Sequence, residues 1–301
     1  MSLSIDPSFV AAQVLPDVLP PVRERGRVML FIYRNPTMAL GGILLALMVL
    51  IAIFAPLLGT VDPTALAPAK RTRPPSALYW FGSDMLGRDI YSRVLYGARV
   101  SLLVGFLVAA VSSIIGMAIG VCAGFIRLLD TVVMRVMDGL MSIPSILLAI
   151  AFMALIGASV QNVVIAISVA EIPRVARLVR GVVLSLREQP YVEAAIASGT
   201  STFKIIWRHI LPNTLAPIIV QATFICASAM LAEATLSFIG AGTPPTTPSW
   251  GNIMAEGRAL WQVKPFIVFF PALFLSITVL AVNLLGDGLR DALDPRLAKR
   301  I

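Results

Sequence analysis

The sequence predicts an all-α, polytopic membrane protein with six transmembrane helices. Three observations predict it. The 301 residues are 58 % hydrophobic and 13 % charged, with mean hydropathy +0.88, whereas soluble domains run to about 45–50 % apolar and about 25 % charged. The apolar residues fall in long blocks rather than in short periodic stripes. Six of those blocks reach the roughly 20 residues that a helix needs to cross the hydrocarbon core.

In chain order, residues 1–36 are polar, carry prolines and end in a basic cluster, which reads as a cytoplasmic tail and not as a cleavable signal. The first span, 37–58, and an outer loop fill residues 37–97. A five-helix core, 98–290, holds the spans 98–124, 132–156, 160–184, 215–240 and 266–288, together with a polar loop at 187–214; residues 291–301 form a second tail. The third and fourth spans are interrupted by Asp138, Glu171, Arg174 and Arg177. With both termini placed in the cytoplasm, inner segments carry 16 Lys and Arg and outer segments 8, the bias that the positive-inside rule expects. Six of those eight, Lys70, Arg71, Arg73, Arg88, Arg93 and Arg99, crowd the first outer loop and run against the rule.

Several classes are excluded. The net charge of +8 comes without a basic face interleaved with aromatic residues, so no nucleic-acid partner is expected. Cys122 and Cys226 lie inside apolar blocks and read as packing residues. One histidine precludes an HExxH zinc site, and there is no Gly-Lys dipeptide to build a phosphate loop. Asp287 follows Leu284-Leu285-Gly286, which lacks the first glycine of a Gly-x-Gly-Asp protease motif. No catalytic residue, metal or bound cofactor is expected in this chain.

The loop at 187–214 is the most distinctive polar segment. Pro190 suits the first turn of a helix, and Glu193 near that end suits the helix dipole. Ala194, Ala195, Ala197 and Ser198 give a smooth surface, and Gly199 supplies the left-handed stop. Thr200, Ser201 or Thr202 can cap a second helix, on which Phe203, Ile206, Trp207, Ile210 and Leu211 share one apolar stripe. That helix is expected flat against the membrane, with Pro212 turning the chain into the fifth span. For the stripe alone, an ordinary amphipathic inter-span loop is the alternative reading.

Glu193-Ala194-Ala195, three residues, Gly199, and then twelve residues to Pro212 with Leu211 before it resemble the EAA loop (EAA-x3-G-x9-I-x-L-P) of ABC importer permeases. His209 stands at the consensus isoleucine. "FGSDMLGRDIYSRVLYGARVSL", "IPRVARLVRG", "AEATLSFIGAG", "PPTTPSWGNIMAEGR" and "NLLGDGLRDALDPR" are similar to the second permease of the dipeptide, oligopeptide and nickel branch. The resemblance implies a type I importer permease fold in a bacterial cytoplasmic membrane. It implies a homologous permease as heterodimer partner, two ATP-binding subunits that hold ATP and magnesium, and an extracytoplasmic substrate-binding protein. Glu193, Ala194, Ala195, Gly199, Leu211 and Pro212 would then receive the ATPase. The implied cargo is short peptides, with glutathione, opines and nickel complexes as alternatives; the rival class is a stand-alone channel or ion-coupled carrier.

Charge inside a span is costly and marks function by default. Glu171, Arg174, Arg177 and Glu233 are the expected lining of the translocation path, against snorkelling for the arginines and buried structural pairing for the glutamates. Arg174, Arg177 and Arg180 share a face that would line the inner mouth or reach Glu188 or Glu193. On the outside, Asp84, Arg88, Asp89 and Arg93 have the i,i+4 spacing of an amphipathic surface helix. With Trp250, in a proline-rich loop of interfacial aromatics, Asp84, Arg88 and Asp89 are candidates to contact the binding protein; plain capping of the bundle is the alternative.

Overall fold

The computed structural model describes residues 35–293; most of the 1–36 tail and of the 291–301 tail lies outside them. Helix α1 (Pro36–Phe54) is followed by a loop with short 3-10 turns. Then come α2 (Ile90–Phe125), α3 (Arg127–Met141), α4 (Ser145–Ile156) and α5 (Val160–Arg187). Helices α6 (Pro190–Ala197) and α7 (Thr202–Ile205), with a π turn at Ile206–Ile210, lead into α8 (Leu211–Phe238). Helices α9 (Trp250–Gly257) and α10 (Phe266–Leu293) complete the described chain. No strand occurs among the described residues.

The all-helical architecture stands, while six spans are not confirmed. Four helical stretches among the described residues are long and apolar enough to cross a membrane: 36–57, 90–125, 202–238 and 266–293. A fifth exists only if α3 and α4, bent by 92° where the chain passes Ser142–Pro144, act as one broken span. The expected fourth span is α5, whose 28 residues suffice in length but carry Glu171, Arg174, Arg177 and Arg180. Val163, Ala166, Val175, Val179 and Val183 of this helix are buried within the bundle, and Arg174, Arg177 and Arg180 each meet a carboxylate.

Helix α2 is the spine, 36 residues long, or roughly 54 Å at 1.5 Å per residue. Gly116, Gly120 and Gly124 notch one face of it. A Cβ on Gly116 would stand 2.5 Å from Val175 Cβ; on Gly120, 2.6 Å from the Ala176 carbonyl oxygen and 2.7 Å from Val179 Cβ; on Gly124, 2.5 Å from Val183 Cγ1. Three valines of α5 at spacing four therefore seat in three glycine notches at the same spacing, the close-approach geometry that small residues permit between membrane helices. Further along, Gly105 admits Met230 and Cys226 of α8. Cys226 is buried as expected, while Cys122 is exposed.

Two boundaries differ from expectation. Residues 81–89 are loop, and α2 begins at Ile90 because the Asp89 carboxylate accepts from the Ser92 N–H at 2.8 Å, a side-chain N-cap. The helix after Gly199 is not a separate flat element. It runs through the π turn into α8, so Pro212 lies inside one continuous helical stretch, 202–238, and interrupts its regular hydrogen-bond ladder.

Candidate functional site

Helix α6 projects from the end of the bundle where α5 stops and α8 starts. Val192 is its one buried residue; Glu193, Ala194, Ala197 and Ser198 are exposed and Ala195 half-buried. The helix stops as the spacing requires. Ser198 N–H donates to the Ala194 carbonyl at 3.0 Å, Gly199 N–H to Ile196 at 2.9 Å and Thr200 N–H to Ala195 at 3.1 Å. Gly199 sits at φ +74° with open space where a Cβ would be, so the backbone conformation and not packing demands glycine there.

Beyond Gly199 the expected stripe divides. Phe203 and Trp207 are 77 % and 66 % exposed, Ile206 and Leu211 half-buried, and Ile205 and Ile210 buried. Ile205 and Ile210 lie five residues apart, which an α-helix would put on different faces. The π turn, in which Leu211 N–H bonds the Ile206 carbonyl, brings both inward. Phe203, Lys204, Trp207, Arg208 and Pro212 line a shallow surface hollow on the outside of this turn.

The arginine face of α5 pairs with acids from elsewhere than expected. Arg174 bonds Glu171 at 2.9 Å within α5, Arg177 bonds Asp138 of α3, and Arg180 forks onto Asp130 of α3, with Nη2 to Oδ2 at 2.7 Å. The expected pairing with Glu188 or Glu193 is thus replaced. Arg187, the last residue of α5, donates to the Gly124 carbonyl at 2.6 Å and lies 5.2 Å from the Phe125 ring centroid. A cleft of about 430 Å³ separates this α2–α3 elbow from α6, lined by Arg127, Asp130, Glu188, Glu193 and Ile196 among others.

Glu171 is 5 % exposed and Glu233 fully buried. Glu233 accepts from Ser101 Oγ at 3.2 Å and Ser237 Oγ at 2.9 Å, and Ser237 continues to Thr243. Glu233 therefore sits in a hydroxyl network tying α2, α8 and the following loop together, with serine hydroxyls rather than an arginine as its partners.

At the far end of α2, the candidate contact residues turn inward. Asp84 accepts from Arg88 Nε at 2.7 Å and from Arg93 Nη1 at 2.6 Å, and both arginines also meet Glu256 of α9. Asp84, Arg88 and Arg93 are 0 %, 6 % and 1 % exposed. Trp250 is buried and donates its Nε1–H to the Val94 carbonyl at 3.0 Å, so it is an internal anchor and not an interfacial one. This cluster explains part of the cation excess of residues 59–99. Arg88 and Arg93 are neutralised internally, and Arg99 caps the end of α1 through the carbonyls of Ala52 at 2.6 Å and Ile53 at 3.0 Å.

Besides the π turn, the sequence reading missed Asp130, Glu256 and the notches at Gly116, Gly120 and Gly124. The glycines had a signal, since their spacing of four matches Val175, Val179 and Val183. The two acids had none, because their partners lie 50 residues away for Asp130 and more than 160 for Glu256.

A bundle of lipid-length apolar helices with a small-residue helix exposed at one end is the architecture of a polytopic membrane protein. The chain belongs to the family of binding-protein-dependent transport system inner membrane components, whose model matches residues 112–299. It is 52 % identical to a probable peptide ABC transporter permease of Sinorhizobium fredii over 89 % of this chain and 91 % of that one. It is 45 % identical to the dipeptide transport system permease DppC of Alkalihalophilus pseudofirmus (88 % and 87 %). To the glutathione transport system permease GsiD of an Escherichia coli strain it is 42 % identical (88 % and 88 %). Among solved structures, the inward-facing methionine ABC transporter MetNI superposes with TM-score 0.53 at 21 % identity, covering 67 % of this chain and 96 % of that chain. The fold is that of a type I ABC importer permease.

Proposed function

We propose that this chain carries short peptides into the cytoplasm as one permease of a heterodimer. Two ATP-binding subunits drive it, and an extracytoplasmic binding protein supplies it. Relatives named for peptides, dipeptides and glutathione support the peptide class. The observation that carries the reading is α6. It is an exposed small-residue helix with Glu193, Ala194 and Ala195 at its start and the left-handed Gly199 at its end, held to the bundle mainly through Val192. A protein groove can close over such a helix without having to accommodate large side chains. In this reading the α6 end faces the cytoplasm, as do both termini.

Mechanism follows from connectivity. Closure of the ATPase pair on ATP displaces α6, and α6 is continuous through Glu188 and Gln189 with α5. Helix α5 in turn is interlocked with α2, the spine. Rotation of that unit relative to α8 and α10 would open the path outward to accept peptide, and its return after hydrolysis would release peptide inward. Glu171, Arg174 and Arg177 stay candidates for the path, with Glu233 acting through the hydroxyl network. Leu211 and Pro212 hold the start of α8 against the partner. Asp84, Arg88, Asp89 and Trp250 position the outer loop that meets the binding protein, rather than touching it.

The test is reconstitution. Proteoliposomes holding both permeases and the ATPase subunits, given binding protein and a mixed pool of di- to pentapeptides, should accumulate peptides only with ATP, read by mass spectrometry. Uptake that persists without the ATPase subunits would sink the proposal.

A further inference from the structure

We infer that Arg180, Asp130 and Arg187 are positioning residues of the transport cycle, clamping the α2–α3 elbow to the last turns of α5 so that displacement of α6 is carried into the spine helix. This rests on the import reading above. The geometry has three parts. Arg180 grips both oxygens of Asp130, in the first turn of α3, and a planar fork on a carboxylate fixes orientation as well as distance. Two turns on, Arg187 holds the Gly124 carbonyl at 2.6 Å and faces the Phe125 ring, so the last two residues of α2 are tied to the last residue of α5. Between these contacts Val183 seats against Gly124, and the same interlock repeats at Val179 and Val175.

Between α6 and the elbow lies the 430 Å³ cleft. The packed route from α6 to the elbow therefore runs through α5 and its two arginines. Side chains of Arg180 and Asp130 remain 34 % and 25 % exposed, so the pair is not a core element on which folding depends. Its value lies in direction: without it, the elbow can lag when α5 moves.

The experiment uses the assembled transporter in proteoliposomes and reads peptide taken up per ATP hydrolysed. Arg180→Gln and Asp130→Asn should each lower that ratio about 5-fold or more, with ATPase subunits still bound. The charge-exchanged pair, Arg180→Asp with Asp130→Arg, should recover it to within about twofold. A ratio unchanged in the single variants overturns the inference, even where uptake and hydrolysis fall together, and so does an exchanged pair no better than the worse single. A second measurement stands apart from folding. With Cys122 and Cys226 replaced by alanine, Asp130→Cys with Arg180→Cys is bridged by a short bifunctional thiol reagent. Bridging should raise the ratio towards the parent's; a bridged transporter that hydrolyses ATP without uptake shows that elbow and α5 must separate, and overturns it. A parent transporter that fails to bind its ATPase or to pump would instead remove the import reading itself.

Discussion

On its α5 side the α6 loop hangs from a helix seated in three glycine notches of α2 and pinned by Arg180 and Arg187. On its α8 side it re-enters the bundle through a π turn, with Phe203 and Trp207 exposed and Pro217 interrupting the helix five residues beyond Pro212. The difference is mechanical. Interlocked β-branched side chains resist sliding, whereas a π turn and a helix-interior proline each break the regular i→i−4 ladder and leave a place to bend. One loop thus has a stiff exit and a compliant one. Under the proposed function, a displacement of α6 would be transmitted through the first and absorbed in the second.

The comparison can be broken most severely at the stiff side. Gly120→Leu would place its side chain where the Ala176 carbonyl and Val179 stand. Overpacking of this kind costs about 1–3 kcal/mol and at times more, and a backbone oxygen cannot swing aside. The expected outcome is loss of monodisperse protein in detergent, read by size-exclusion chromatography; a stable, well-behaved variant would mean that α2 and α5 do not interlock. Next comes Ala194→Trp on exposed α6. It should abolish retention of the ATPase subunit on an affinity column while shifting thermal stability by no more than about 0.5 kcal/mol, the usual surface effect.

Gly199→Ala sharpens the picture at lower cost. There is room for the methyl group but the left-handed backbone disfavours it, by about 1–2 kcal/mol. Faster amide exchange at Ser198 to Thr200, with weakened ATPase affinity, is the expected result. The smallest effect belongs to the compliant side. Trp207→Ala removes a side chain that is 66 % exposed, and stability measured by thermal melting should change by about 0.5 kcal/mol or less.

The sequence made some of this legible. Apolar blocks located α1, α2, α8 and α10 because lipid imposes a length that composition reveals. Pro190, Gly199 and the alanines between them located α6, since its start and stop depend on local chemistry alone. What stayed hidden was tertiary. Arg93 offered Asp89 at i−4 and took Asp84 and Glu256 instead, because Asp89 was already spent as a helix cap. Trp250 read as an interfacial aromatic and became an internal anchor once Gly97 let it approach α2. The π turn was invisible because Phe203, Ile206, Trp207, Ile210 and Leu211 fit an α-helical stripe as well as any helix does. Burial of Ile205 and Ile210 together is what required the extra residue.

The measurement that meets the central claim most directly is hydrogen–deuterium exchange on the assembled transporter, compared with and without a non-hydrolysable ATP analogue. The two segments to read are 176–187, in α5, and 203–213, through the π turn. A stiff exit and a compliant one predict slow exchange in 176–187 that is the same in both nucleotide states, with the nucleotide-dependent change confined to 203–213. Nucleotide-dependent opening of 176–187, with 203–213 unchanged, would contradict the account.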